Sequence, residues 1–199
     1  MRNISFFRKK KVKYNTVTEK ETTSFSLESV TALELQRMII YGKPCDSIGP
    51  YRSKPFVELP YGIVKKYLPR YQEKGFIYET VELILGCQYD AVDLSHASGN
   101  EILQFLIWIK NQQEFIYQRE LHSLHSEPEP EMIAAGIHKL NSHGGTLTID
   151  MLAERKLWRH KTIENTPYHK VFEKLFMDKD VNDFYKRVAK IREQLNKKK

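Results

Sequence analysis

Three groups of residues have types and spacings that suit chemistry. His122 and His125 lie three apart near an expected helix end, where two imidazoles share a face and can ligate a divalent metal. Only Glu127, Glu129 and Glu131 stand near them as further donors, so the pair reads as solvated histidines and no metal or cofactor is expected. Asn141-Ser-His-Gly-Gly-Thr146 is a glycine turn with hydroxyls that suit an anion. It lacks the lysine of a P-loop and follows no strand, which makes it a helix-to-helix turn. Carboxylates pair at Glu79/Glu82, Asp90/Asp93 and Asp150/Glu154. Acid–base work needs such groups in a pocket with displaced pKa values, whereas these read as exposed helical charges. There is no Ser-centred elbow, HExxH or dinucleotide fingerprint. No catalytic residue is expected, and the chain reads as non-enzymatic.

Binding through charge is the next candidate. The chain has 199 residues and a formal net charge of +7, unevenly spread. Residues 1–20 carry seven basic side chains against Glu19, and residues 184–199 carry seven against Glu193. The stretch between, 21–183, has 18 basic and 23 acidic residues. An acidic body between basic ends differs from a groove-binding nucleic-acid domain, whose positive charge lies on the folded surface. The run Arg8, Lys9, Lys10, Lys11 and Lys13 suits either of two partners. It can neutralise phosphates in weak, salt-sensitive contact with DNA or RNA, or it can reach an acidic protein surface. Phe6, Phe7 and Tyr14 flank it and can stack on bases or anchor in an apolar groove.

The elements that would position these groups are helical. Leu27, Val30, Leu33, Leu35, Met38 and Ile39 share a helical face, with Thr31 and Glu34 at capping-box spacing. The stretch 43–60, with four prolines, reads as an irregular surface connection. A short helix is expected from Pro60 to just before Pro69, and another over Tyr78–Leu85 with Gly86 as its stop. Ser98-Gly-Asn-Glu101 is a capping-box match that opens the strongest element, whose first half (Ile102 to Ile109) is apolar on nearly every side. Trp108, Phe105, Phe115 and Phe172 are expected in the core. Further helices are expected over Glu131–Leu140, Ile149–Trp158 behind Thr148, and Tyr168–Met177 behind Thr166-Pro167.

After Asp180, the residues Val181, Phe184, Val188, Ile191 and Leu195 form a stripe at spacings of three and four, with lysines and arginines elsewhere. Two heptads are too few to hold a coiled coil alone, so the stripe needs a partner surface. β signals are nearly absent. The fold class is therefore all-α with about seven helices: a flexible basic arm over 1–24, a helical domain over 25–180, and a basic amphipathic C-terminal helix over 181–199. Cys45 and Cys87 are too few for a disulfide scaffold or a four-cysteine zinc site, and fit a reducing compartment. The longest apolar run, Ile102 to Ile109, is far short of a membrane span.

Several segments form a recognisable set: Leu59-Pro-Tyr-Gly62, Phe105-Leu-Ile-Trp-Ile109, Met132 to Asn141, Leu147 to Ala153 and Pro167 to Leu175. Over about residues 56–180 the chain resembles small helical virion-assembly proteins of tailed bacteriophages, which act as tail-assembly chaperones or as head–tail and tail structural components. The resemblance implies partners among other virion or assembly proteins, in a homo- or hetero-oligomer, and a place in the host cytoplasm during assembly or in the virion. It transfers no functional residue.

Overall fold

The computed structural model describes residues 42–197, and the architecture is all-α. Among these residues are seven α-helices: α1 (Leu68–Glu73), α2 (Ile77–Gly86), α3 (Gly99–Leu124), α4 (Pro130–Ala134), α5 (Gly145–Leu152), α6 (Leu157–Asn165) and α7 (Tyr168–Asn196). The expected 27–39 helix and the basic arm over 1–24 lie outside the described residues.

Helix α3 is the central element, and its start follows directly from sequence. The Ser98 hydroxyl accepts from the Glu101 backbone N–H, while the Ser98 N–H donates to the Glu101 carboxylate, closing a capping box. That N–H, reinforced by the Ser98 hydroxyl, holds the Glu101 carboxyl below the usual range. Ile102, Leu103, Phe105, Ile107 and Ile109 are all buried, as their nearly continuous apolar run, interrupted only by Gln104, suggests. Around them close Val81, Ile84 and Leu85 of α2, Ile149 of α5, and Tyr168, Val171 and Phe172 of α7. Phe56 and Trp108 meet edge to face at 5.4 Å, while Phe115 lies more than half exposed. Position 115 belongs to the solvent side of α3 rather than to the core.

The stretch 43–60 contributes to the core instead of merely crossing the surface. It forms a two-residue antiparallel ladder, β1 (Ser47–Ile48) with β2 (Tyr51–Arg52), turning at Gly49 with φ +50°. It then buries Ile48, Phe56 and Leu59. The helical path beyond Pro60 does not stop before Pro69. It passes through a π-helical turn, Ile63–Tyr67, into α1, with Pro69 at an early position of that helix.

Three other expectations change. The helix over 131–140 ends at Ala134, because Gly136 adopts φ +82° and a 3-10 segment, Ile137–His143, follows. Its apolar stripe stays in solvent, with Ile133 and Leu140 about half exposed. The helix over 149–158 is two helices, since Glu154 and Arg155 take left-handed φ values of 54° and 59°. Ion pairs of Arg155 with Asp150 and of Glu154 with Lys156 and Arg159 hold that corner. Finally, α7 crosses residue 180 without a break, so the C-terminal stripe is the distal half of the helix that begins at Tyr168.

Candidate functional site

Two Pro-Tyr dipeptides tie the body together. The Tyr61 N–H donates to the Thr166 carbonyl, and the Tyr168 N–H donates to the Leu59 carbonyl, both at 2.8 Å. This antiparallel bridge brings Tyr61 and Tyr168 into a stack with ring centroids 6.0 Å apart. The Tyr168 hydroxyl donates to Glu120 Oε1 at 2.8 Å, and Lys65 Nζ donates to Glu120 Oε2 at 2.6 Å. Burial, with the Glu120 charge adding to it, drives the Tyr168 phenol far above its ordinary pKa. Burial likewise pushes Tyr61 up to about 12.

An open cleft of about 420 Å³ lies over this network. Its walls include Tyr61, Lys65, Glu120, His125, Gly144 and Gly145. Tertiary structure thus brings together one histidine and the glycine turn that sequence left far apart. The close approach explains the turn: a methyl on Gly145 would run into the Lys65 backbone carbonyl. Gly62 is under a similar constraint, since its Cβ would lie 2.8 Å from that of Glu164. Both Glu120 oxygens are already occupied by Lys65 and Tyr168, so the network has the character of a structural clamp rather than a poised acid–base pair.

The other sequence candidates do not converge. His122 and His125 are exposed at the end of α3. Among the described residues no three His, Cys, Asp or Glu side chains gather as metal ligands. Glu79 and Glu82 are exposed on α2, and Asp90 and Asp93 are exposed in the loop after it. Asp150 pairs with Arg155 and approaches His160 at 3.1 Å, while Glu154 pairs elsewhere. The basic run Arg8, Lys9, Lys10, Lys11 and Lys13 lies outside the described residues. No helix among those described is long and apolar enough to cross a membrane.

The stripe on α7 is where geometry concentrates. Val181, Phe184, Ile191 and Leu195 are 52–58% exposed, and Val188 is partly so. Met177, at 56%, extends the pattern one step toward the body, a member the sequence reading missed although the same spacing reaches it. The six positions 177, 181, 184, 188, 191 and 195 follow strict alternation of four and three, an a/d seam with Met177, Phe184 and Ile191 at d and the others at a.

Helix α7 thus carries two apolar stripes, pointing opposite ways. Tyr168, Val171, Phe172 and Leu175 pack into the body. At 3.6 residues per turn, the mean direction of the distal seam lies roughly 170° around the axis from theirs. The distal residues that do lie on the body side are mainly polar, among them Lys179, Asn182, Lys186, Lys190 and Glu193. Lys186 reaches across on that side to Glu129 at 3.1 Å. The seam therefore faces away from the body that anchors the helix.

The chain matches no protein-family model, no curated protein and no solved structure.

Proposed function

We propose that this chain is a non-enzymatic assembly protein that works by docking another protein against the outward seam of α7. The sequence resemblance to phage virion-assembly proteins suggests the setting, and the supporting observation is the seam itself. A helix whose proximal half is anchored by buried Tyr168, Val171 and Phe172 presents a second, regularly spaced apolar face to solvent. Isolated exposed apolar residues are ordinary on a protein surface; six in a/d register on one face are an interaction site. Because these side chains start about half exposed, each gains about 1–1.5 kcal/mol when a partner completes its burial, before ordering costs. Much of the ordering is already complete, because α7 is nucleated and held by the body.

A photoreactive residue placed at Phe184, in the full chain expressed in its native setting, tests the proposal. The control is the same residue at Lys190, on the polar side of α7. Adducts to protein from position 184 and none from 190 are expected. Equal labelling from both positions, or none from 184, overturns the docking reading.

A further inference from the structure

The charges flanking the seam carry a further inference, which rests on the docking reading and identifies its partner. We infer that the occupant of the seam is a second copy of this chain, paired antiparallel. Residues 178–183 contain Asp178, Asp180 and Asp183 against Lys179, whereas 186–197 contain Lys186, Arg187, Lys190, Arg192 and Lys197 against Glu193. The distal half of α7 is acidic at its start and basic at its end. Two copies running in opposite directions set each acidic end beside the other's basic end.

The register follows from the heptad. Antiparallel seams place a residues against d residues, which here pairs Val181 with the other copy's Ile191, Phe184 with its Val188, and Met177 with its Leu195. All six seam residues find partners and none is left over. In that register the flanking e positions oppose one another, so Asp178 meets Arg192 of the second copy, and this happens twice by symmetry. Tyr185 meets its own counterpart, and the one like-charged contact is Arg187 with its counterpart. A parallel pair places g against the following e, which sets Glu173 beside Asp178 and Arg187 beside Arg192, each twice, with no opposite charges in exchange. Antiparallel is the orientation that the charge pattern selects.

Steric access agrees. The seam is centred near residue 186, while the body grips α7 at residues 168–175 on its opposite side. The two anchor points then lie toward opposite ends of the paired helices, about 40 Å apart along the axis at 1.5 Å per residue, and the contact of Lys186 with Glu129 stays on the side away from the seam.

The test uses the full-length protein. An equimolar mixture of Val181→Cys and Ile191→Cys chains is oxidised, and the disulfides are mapped by peptide mass. Antiparallel pairing yields the 181–191 heterodimer; 181–181 and 191–191 products mean parallel pairing and overturn the proposal. In parallel, light scattering gives the mass, expected at twice the 23.5 kDa of one chain. Asp178→Arg and Arg192→Asp each turn two attractive contacts repulsive and weaken dimerisation roughly tenfold. The double variant D178R/R192D restores it, which the loss of the in-chain Lys174–Asp178 pair cannot explain. Failure of that rescue overturns the register. A monomer whose Phe184 photoadducts go only to a different protein, or to the chain's own residues 27–39, overturns the second copy as occupant. Adducts to a different protein leave the docking reading standing, while absence of any adduct ends both.

Discussion

Raising the pH should attack this fold through two tyrosines. Tyr61 is 2% exposed and Tyr168 fully buried, and the phenols of both are held above their ordinary value. A raised phenol pKa means that the native state favours the neutral form. Its contribution is complete below the unfolded value near 10 and is lost as pH climbs toward the native value. For Tyr61, pushed up to about 12, each pH unit above 10 costs about 1.4 kcal/mol, or about 3 kcal/mol in all. Tyr168 adds a similar slope over the same interval, because burial and then the neighbouring Glu120 carboxylate oppose its phenolate. Urea unfolding followed by circular dichroism at intervals from pH 9 to 12 measures the sum. Tyr61→Phe with Tyr168→Phe keeps the stacked rings but removes both titrations. Comparison with the parent separates them from lysine deprotonation, which both chains share. At neutral pH Tyr168→Phe still costs about 1.5–3 kcal/mol, the worth of a hydrogen bond to a charged acceptor. A parent chain equally stable at pH 10 and 12, or a double variant that loses stability as steeply, would refute the reasoning.

Ser98→Ala removes the α3 cap and should lower stability by about 1 kcal/mol in denaturant titration. Gly145→Ala drives a methyl into the Lys65 carbonyl and should cost about 1–3 kcal/mol, whereas the same change at Gly86, which has open space around it, should cost far less. Phe105→Ala opens a hole beside Trp108 and should cost about 3–5 kcal/mol, read as a lower melting temperature. Phe184→Ser should leave monomer stability within about 0.5 kcal/mol while abolishing docking at the seam, because its side chain is half exposed and touches little of the body.

The helices legible in the sequence were those whose signals are local. A capping box at Ser98, the apolar run behind it broken only by Gln104, and Pro167 opening α7 each act within a few residues, and the structure keeps all three. The boundaries that differed turn on backbone geometry that no residue type announces. Glu154 and Arg155 take left-handed backbone without a glycine to announce it, held by ion pairs to Asp150, Lys156 and Arg159. Pro69 reads as a stop, yet the π-helical turn before it admits the ring. For the site, the 3–4 spacing of Val181, Phe184, Val188, Ile191 and Leu195 already specified an apolar face that α7 alone could not bury.

By itself the sequence determined that this is a helical chain with a periodic apolar stripe and charge sorted along it, because helical period and charge order are properties of neighbouring residues. Only tertiary structure decided which way the stripe points. Burial of Tyr168, Val171 and Phe172 fixes the rotation of α7 about its axis, and a rigid helix carries that rotation outward, turning the distal seam from the body toward solvent. Tertiary contact also joined Tyr61 to Tyr168 and His125 to the Gly144–Gly145 turn, pairs too distant in sequence for any local preference to connect.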